Sequence, residues 1–260
     1  MSVLSSIIEG VLADLETRKL SNSQLDETLS AAPNVRDPLV SLSRNPLSVI
    51  AEVKRSSPSK GALAEIPEPA TLARRYESAG ASVVSVLTEQ RRFGGSLKDL
   101  HQVRDEIQLP VLRKDFIVNE YLVKESRAYG ADLLLLIVAA LDDYQLRDLY
   151  SLANELGMKV LVEVHDQSEL ERALAINPEI IGVNSRNLKT LEIDRKNFDA
   201  LLPNIPPTIY RVAESGISER DQVKAAYQLG ANAVLVGESL VKSDSPESLI
   251  AEFLNVAIGN

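Results

Sequence analysis

One stretch of this chain predicts its fold: Val49-Ile50-Ala51-Glu52-Val53-Lys54-Arg55-Ser56-Ser57-Pro58-Ser59-Lys60-Gly61. It reads as an apolar strand that breaks into a loop of Ser, Pro and Gly, and a strand this apolar is typical of a parallel sheet buried on both faces. Side chains two residues apart in a strand share a face, so Glu52 and Lys54 project together. Buried, they must pair with each other or with a ligand, because an isolated buried charge is not tolerated. An edge strand with a solvated ion pair would explain the same residues. The pattern in the rest of the chain distinguishes the two interpretations.

Outward from this stretch, a strand-and-helix pattern repeats to the end of the chain. The β-rich runs are Val49–Val53, Val83–Leu87, Val111–Leu112, Leu133–Val138, Val160–Val164, Ile180–Val183, Ile209–Val212 and Ala233–Val236. Helix-period segments between them include Ala70–Ala79, Leu97–Ile107, Tyr121–Tyr129, Tyr144–Leu156 and Gln222–Leu229. Eight such units predict an α/β protein with a (β/α)8 TIM barrel, and a doubly wound open sheet is the alternative.

Glycines mark the ends of several predicted helices. Gly80, Gly130, Gly157 and Gly230 each come just before a predicted strand, where a helix C-cap favours a left-handed residue. Their separations are close to two, one and three units of roughly 25 residues, as expected for a repeated βα unit. This even spacing, and the lack of a Gly-rich nucleotide-binding turn after the first strand, favour the closed barrel over the open sheet.

The first part of the chain precedes the repeat. Residues 3–16 place Leu4, Ile7, Ile8, Val11, Leu12 and Leu15 at helical spacing, which predicts an amphipathic helix. We therefore divide the chain into a helical extension, residues 1–47, packed on the barrel as a lid or plug, and a barrel catalytic domain, residues 48–260.

Composition narrows the possible partners. A net charge of -9 disfavours nucleic acid and anionic membrane, so an anionic ligand would need locally supplied positive charge. No segment has the roughly 18 uninterrupted apolar residues of a membrane span, and no secretory signal is visible, so we expect a cytoplasmic protein. The absence of cysteine excludes disulfides, thiolate catalysis and Cys-ligated metals.

Charged and polar residues collect at the predicted strand ends, where functional groups lie in a barrel of this kind. They are Glu52, Lys54, Lys114, Glu163, Asn184, Arg186 and Glu214. Each alone could be a solvated loop charge. Their coincidence at one rim of the barrel is what indicates an active site.

The loops after the last two strands indicate a phosphate site. Ser215-Gly216 and Gly237-Glu238 supply small residues whose backbone N–H groups can approach a phosphate closely, and such sites are common in these loops. Ser57 in the first loop could donate a hydroxyl. The alternative is that Gly216 and Gly237 only serve tight turns.

Five motifs in order resemble the indole-3-glycerol phosphate synthase family of tryptophan biosynthesis. The first is the opening stretch from Ile50 to Gly61. The others are Leu112-Arg113-Lys114-Asp115-Phe116, Leu161-Val162-Glu163-Val164, Gly182-Val183-Asn184-Ser185-Arg186-Asn187-Leu188 and Ala213-Glu214-Ser215-Gly216. The resemblance covers nearly the whole chain. It implies a carboxy-lyase that converts 1-(2-carboxyphenylamino)-1-deoxyribulose 5-phosphate into indole-3-glycerol phosphate, CO2 and water, with no metal or organic cofactor.

The resemblance also implies residue roles. Lys114 would be the general acid in ring closure, Glu163 and Lys54 would serve the later dehydration, and Glu52 would orient Lys54. Asn184, Arg186 and Glu214 would position the substrate's carboxylate and hydroxyls. The phosphate would be held by Ser57, Ser215, Gly216, Gly237 and Glu238, the last three chiefly through backbone. Phe93 and Phe116 would form apolar walls for the anthranilate ring. Some relatives have Ser in place of Glu238, whose carboxylate must turn away from a phosphate.

Two other functions fit the same residue types. Another phosphosugar barrel, such as phosphoribosylanthranilate isomerase, does not explain Lys54 and Lys114 together. A non-catalytic barrel that binds a phosphometabolite does not explain the full set of acid, base and phosphate positions. We interpret His101 as a helix surface residue and His165 as a loop residue, and we expect a monomer.

Overall fold

The computed structural model describes residues 2–188 and 190–257. Within this part of the chain eight parallel strands close into a barrel, in which each strand pairs with its neighbours in the chain and the last pairs with the first. The strands are β1 Ser48–Val53, β2 Val83–Leu87, β3 Val111–Lys114, β4 Leu133–Ile137, β5 Lys159–Val164, β6 Ile180–Asn184, β7 Tyr210–Glu214 and β8 Ala233–Val236. The predicted (β/α)8 barrel is confirmed, and the opening stretch is a central strand rather than an edge strand.

Helices cover the outside of the barrel and precede its first strand. They are α1 Val3–Arg18, α2 Asn22–Ala31, α3 Pro38–Leu42, α4 Pro69–Ser78, α5 Leu97–Glu106, α6 Glu120–Ala128, α7 Asp143–Glu155, α8 Gln167–Leu174, α9 Lys196–Leu201, α10 Arg220–Gln228, α11 Glu238–Lys242 and α12 Pro246–Leu254. Single 3-10 turns occupy Val138–Ala140 and Leu202–Asn204, and the first barrel loop forms a short antiparallel pair, Ser56–Ser57 with Gly61–Ala62. Among the described residues, no helix combines the length and apolar character needed to cross a bilayer.

The sequence determines where many of these helices begin and end. Side chains of Ser96, Asn119 and Asp166 cap α5, α6 and α8 by accepting a backbone N–H from the first turn. At the other end, the four predicted cap glycines all have left-handed φ angles, between +80° and +96°. The regular spacing of these glycines in the sequence therefore corresponds to the C-terminal ends of helices in the structure.

The strand ends differ slightly from the prediction. β3 continues to Lys114 and β7 continues to Glu214, two residues further than predicted, so both side chains leave from the strands themselves. Strand residues are held by ladder hydrogen bonds on both sides, such as those between β6 and β7 that pair Asn184 with Glu214. The charged groups at the barrel rim are consequently mounted on the most rigid part of the fold.

Helix α1 packs against the barrel. Leu4, Ile7, Val11 and Leu15 are buried, as the helical spacing predicts. The predicted amphipathic helix is confirmed, and Leu12, which is 38 % exposed, lies outside its buried stripe. Ion pairs add to this apolar contact: Arg18 lies 2.9 Å from Glu125 on α6, and Asp14 lies 2.6 Å from Arg91 in the loop after β2.

Candidate active site

A cavity of about 520 Å³ opens where the barrel strands end. Every residue that sequence reasoning selected for the site lines it: Glu52, Lys54, Ser57, Phe93, Lys114, Phe116, Glu163, Asn184, Arg186, Glu214, Ser215, Gly216, Gly237 and Glu238. Residues from all parts of the barrel thus share one space, which is the arrangement expected of an active site at the C-terminal face of this fold.

Lys114 lies at the centre of the charged groups. Its Nζ is 3.2 Å from Oε2 of Glu163 and 3.5 Å from Oε2 of Glu214, and its side chain is 15 % exposed. Burial alone would lower the pKa of Lys114, but the facing carboxylates of Glu163 and Glu214 outweigh burial and raise it above its usual range. The amine is therefore protonated at neutral pH, and its N–H groups are available as donors at the cavity.

The two carboxylates beside Lys114 differ in charge state. Burial raises the pKa of Glu163, yet Lys114 and the adjacent His165 outweigh it and hold that pKa well below its ordinary value. Burial and the negative charge of Glu163 together raise the pKa of Glu214 to about 8. The pKa values of two carboxyl groups that share one site separate in this way, because ionisation of one makes ionisation of the other less favourable.

A glycine makes room for Glu214. A Cβ at Gly182 on β6 would come within 1.9 Å of Oε1 of Glu214, so a larger residue there would force that carboxylate to move. Neither oxygen of Glu214 has a hydrogen-bond partner among the described residues, although both are buried. Such a buried, unsatisfied group is expensive, which is typical of a group kept for a ligand.

The pair from the opening stretch is formed. Nζ of Lys54 lies 2.6 Å from Oε1 of Glu52, with the Glu52 side chain almost fully buried and that of Lys54 19 % exposed. A Cβ at Gly237 would meet Oε1 of Glu52 at 2.4 Å and Nζ of Lys54 at 3.0 Å. Gly237 therefore allows this ion pair to lie against the loop after β8, at the edge of the cavity.

Asn184 and Arg186 extend the polar wall. Oδ1 of Asn184 accepts the backbone N–H of Arg186 at 2.9 Å. The Arg186 guanidinium donates to Oγ of Ser59 at 3.1 Å and to the carbonyl oxygen of Leu191 at 2.9 Å. Arg186 thus connects the loops after β1 and β6 while keeping a planar cation at the cavity, a group suited to a carboxylate.

The loops chosen for phosphate have unusual backbone. Ser215 and Gly216 have φ angles of +67° and +71°, and Ser215 is one of few non-glycine residues in the described chain with a positive φ. Strain of this kind clusters at ligand sites. A Cβ at Gly216 would lie 2.7 Å from Cγ2 of Ile193. Oγ of Ser57 is buried without a hydrogen-bond partner among the described residues and is free to donate to a ligand.

Apolar groups line the same cavity as these charges. The rings of Phe93 and Phe116 lie 6.1 Å apart at an interplanar angle of 40°, and Val3, Leu4 and Ile7 of α1 join the same lining. The cavity therefore offers apolar surface for an aromatic ring as well as charged groups for polar substituents. No group of three or more His, Asp or Glu side chains in the described part of the chain is arranged to hold a metal ion.

The comparison with known proteins agrees with this geometry. The family model described as indole-3-glycerol phosphate synthase matches residues 4–253. The chain belongs to this family.

Curated relatives of the indole-3-glycerol phosphate synthase family match along their full length. One from Micrococcus luteus is 55 % identical over 260 residues, covering 97 % of this chain and 97 % of the relative. One from Streptomyces griseus is 53 % identical over 256 residues, covering 98 % and 95 %. Both carry the name indole-3-glycerol phosphate synthase.

Solved structures of low identity share the fold. Thiamine phosphate pyrophosphorylase from Pyrococcus furiosus is 13 % identical, with a TM-score of 0.62 over 83 % of this chain and 97 % of that chain. 3-Hexulose-6-phosphate synthase from Salmonella typhimurium is 14 % identical, with a TM-score of 0.63 over 81 % of this chain and 98 % of that chain. At these identities the likeness shows the barrel alone.

Sequence reasoning missed several residues at the site of this synthase-family protein. Lys60 and Lys242 both lie 2.8 Å from Oε1 of Glu238 and line the cavity. Their positive charge outweighs the effect of burial and lowers the pKa of Glu238. Two signals were available: Lys60 is inside the opening stretch, and Lys242 follows Glu238 by one helical turn. His165, expected as a loop residue, does follow β5, but its ring reaches Glu163.

Proposed function

We propose that this chain converts 1-(2-carboxyphenylamino)-1-deoxyribulose 5-phosphate into indole-3-glycerol phosphate, CO2 and water, as a carboxy-lyase of tryptophan biosynthesis. The observation that carries the proposal is the Lys114 ammonium, which contacts Glu163 and Glu214 in a cavity lined by both aromatic and charged side chains. Ring closure develops negative charge on the ketone oxygen, and a positioned ammonium both stabilises that charge and supplies a proton.

We assign ring closure to Lys114 and its aromatic surroundings. In this assignment the anthranilate ring packs against Phe93 and Phe116, which line the cavity together, with its carboxylate toward Arg186 and Asn184. Binding in this way holds the ring carbon and the ketone carbon in one reactive geometry. This orientation supplies much of the rate acceleration. Loss of CO2 then leaves the electrons of the broken carbon–carbon bond in the new ring.

Dehydration needs an acid for the leaving hydroxyl and a base for the departing proton. We assign these steps to Lys54 and Glu163. Glu52 holds Lys54 through the 2.6 Å contact, and the low pKa of Glu163 keeps that carboxylate unprotonated. Glu214, the weaker acid of the two carboxyls, contacts the substrate hydroxyls.

We assign the phosphate to the strained loop of Ser215 and Gly216, the backbone of Gly237 and Glu238, and the Ser57 hydroxyl, which has no hydrogen-bond partner within the described part of the chain. Backbone N–H groups in left-handed turns form concave anion sites. The net charge of the chain is -9, and Lys60 and Lys242 are the local cations that make a phosphate acceptable here.

The decisive experiment is direct detection of indole-3-glycerol phosphate by its indole fluorescence after purified protein meets the substrate. We expect product in the presence of EDTA. Lys114→Ala should lower kcat by about 100-fold or more, because removal of a positioned general acid costs that much. Lys98→Ala, which removes an exposed lysine of α5, is the matched control and should retain wild-type rate.

Each of two results would reject a different part of the proposal. A folded wild-type protein that forms no product would reject the reaction, and the non-catalytic barrel would take its place. Substantial turnover by Lys114→Ala would reject only the assigned general acid.

We also propose a cytoplasmic monomer that uses no metal or organic cofactor and has no nucleic-acid or membrane partner. Leu4, Ile7 and Val11 of α1 bury their side chains on the chain's own barrel, which leaves this apolar surface unavailable to a second copy. Light scattering should report a mass near 28.4 kDa, and twice that value would reject the monomer. Cell fractionation tests the location.

A further inference from the structure

The side chain of His165 lies between two carboxylates at the edge of the site. Its Nδ1 is hydrogen-bonded to Oε2 of Glu169 on α8 at 2.9 Å, and its Nε2 lies at an ion-pair distance of 3.3 Å from Oε1 of Glu163, without a hydrogen bond among the described residues. The ring is 10 % exposed. A histidine whose two nitrogens both face carboxylate oxygens can satisfy both only as an imidazolium, because neutral imidazole has one N–H donor.

The surrounding backbone holds this ring in place. The N–H of His165 donates to Oε2 of Glu169 at 2.8 Å, and Nδ2 of Asn197 on α9 donates to the His165 carbonyl oxygen at 3.1 Å. Glu169 is itself placed in the first turn of α8, where its N–H donates to the capping Asp166. The ring is therefore fixed from β5, α8 and α9 before any substrate binds.

The charges around the ring agree with an imidazolium. Glu163 of β5 and Glu169 of α8 face it directly, and Lys114 and Glu214 lie beyond Glu163. Burial lowers the pKa of His165, but the two facing carboxylates outweigh it and raise that pKa to about 10.

The His165 contact affects the ionisation of Glu163. Glu163 and Glu214 share Lys114, and two carboxyls at one cation compete for ionisation. Of these two carboxyls, Glu163 is the one that has a second cation, His165, against its other oxygen among the described residues. The site is therefore asymmetric: Oε1 of Glu163 faces His165, Oε2 faces Lys114, and Glu214 is the carboxyl that retains a proton most easily.

We propose that His165 is a positioning residue, which keeps Glu163 ionised and turns its Oε2 toward Lys114 for the dehydration step. This inference rests on the proposed function of the site. His165 does not itself line the cavity, and it acts through Glu163, which does. Without the imidazolium, Glu163 and Glu214 would share the proton, and a larger fraction of Glu163 would be unable to accept one from substrate.

The test compares His165→Gln with the matched control His101→Gln, which removes the other, exposed histidine of this two-histidine chain. His165→Gln should lower kcat at pH 7 by about 10- to 100-fold through lost orientation and charge, with KM changed less than about threefold. The acid limb of its kcat profile should move toward neutral pH by about one unit or more. His101→Gln should keep wild-type kcat, KM and pH profile.

A second measurement does not depend on turnover. In the His101→Gln background, nitrogen NMR reports His165 alone, and both ring nitrogens should stay protonated from pH 6 to pH 9. Glu169→Gln removes the outer carboxylate, so the His165 titration should move down and the acid limb of kcat should shift part of the way. This variant serves if His165→Gln does not fold.

The outcomes separate the two proposals. Inactive wild-type protein would reject the proposed function. Active wild type with a folded His165→Gln variant of unchanged kcat and unchanged acid limb would overturn the role of His165 alone. A neutral His165 ring at pH 7 would overturn it as well.

Discussion

At the scale of single residues, Glu214 shows how a group in the candidate site can lower the stability of the fold. Its side chain is 2 % exposed, it lies 3.5 Å from Lys114, and it faces the carboxylate of Glu163. Burial, followed by the charge of Glu163, raises its pKa to about 8. Burying an ionisable group in this environment lowers stability, a cost that is common at active sites.

We predict that Glu214→Gln stabilises the protein at alkaline pH. Between about pH 4.5 and pH 8 the folded chain keeps a proton on Glu214 that the unfolded chain has released, so this group's contribution to stability falls as pH rises through that window. Gln has no charge to bury. The urea midpoint of the variant should exceed that of the wild type at pH 9, with a free-energy gain on the order of a few kcal/mol.

The pH series makes this prediction specific. The difference between variant and wild type should be small at pH 5 and should grow through pH 8. Glu27→Gln, at an exposed position of α2, should show no such growth. A Glu214→Gln variant that is less stable than the wild type at pH 9 would contradict the prediction, because it would mean that the contact with Lys114 dominates.

At the scale of strands and loops, the sequence predicts what depends on local chemistry. Gly80 and Gly157 stop helices because a left-handed cap is a local requirement, and Lys114 and Glu163 meet because parallel strands end at one rim. The contact of Lys60 depends instead on Glu238 of α11, which is 178 residues away in the sequence. Its partner is set by how α11 packs on the barrel, which residue spacing does not report. The contact of His165 with Glu169 spans only four residues, but it depends on how the chain turns from β5 into α8.

The loop after β1 and helix α11 are joined by such a contact. Oε1 of Glu238 accepts from both Lys60 and Lys242 at 2.8 Å. Both lysines and Glu238 line the cavity beside the proposed phosphate loops. In the structure the single negative charge of Glu238 therefore offsets part of the positive charge of the two ammonium groups, and it would compete with a bound phosphate for them.

We predict that Glu238→Gln tightens phosphate binding. Removing one nearby negative charge and freeing two ammonium groups should lower KM, and the Ki of inorganic phosphate as an inhibitor, by about threefold to tenfold at low salt, the effect of about 1 kcal/mol for such a charge near a protein surface. The gain should shrink at high ionic strength because salt screens exposed charges. Steady-state kinetics at two salt concentrations measures both effects.

The control for this variant is another paired carboxylate. Glu247→Gln removes an exposed partner of Arg75 and changes net charge by the same amount. It should leave KM and the phosphate Ki unchanged. Equal shifts in the two variants would indicate a general charge effect, and the Glu238 contact would then have no special role.

At the scale of the whole molecule, the extension and the barrel build the site together. The strand ends supply the charged groups, whereas α1 supplies Val3, Leu4 and Ile7 to the apolar side of the cavity. Ile7 and Leu15 lie on the same buried face of α1, but only Ile7 reaches the cavity lining. One helix thus has two separable tasks, docking and shaping the substrate pocket.

Ile7→Ala and Leu15→Ala should separate these tasks. Both truncate side chains that are almost fully buried, so each should lower the free energy of unfolding by about 2–5 kcal/mol. Only Ile7→Ala also removes surface that the substrate ring would contact, and its KM should rise by about threefold to tenfold while kcat changes less. For Leu15→Ala, KM should stay within about twofold of wild type. Urea titrations and steady-state kinetics on both variants supply the comparison. If Leu15→Ala raises KM as much as Ile7→Ala does, α1 affects the site only through its docking, and its side chains do not shape the pocket.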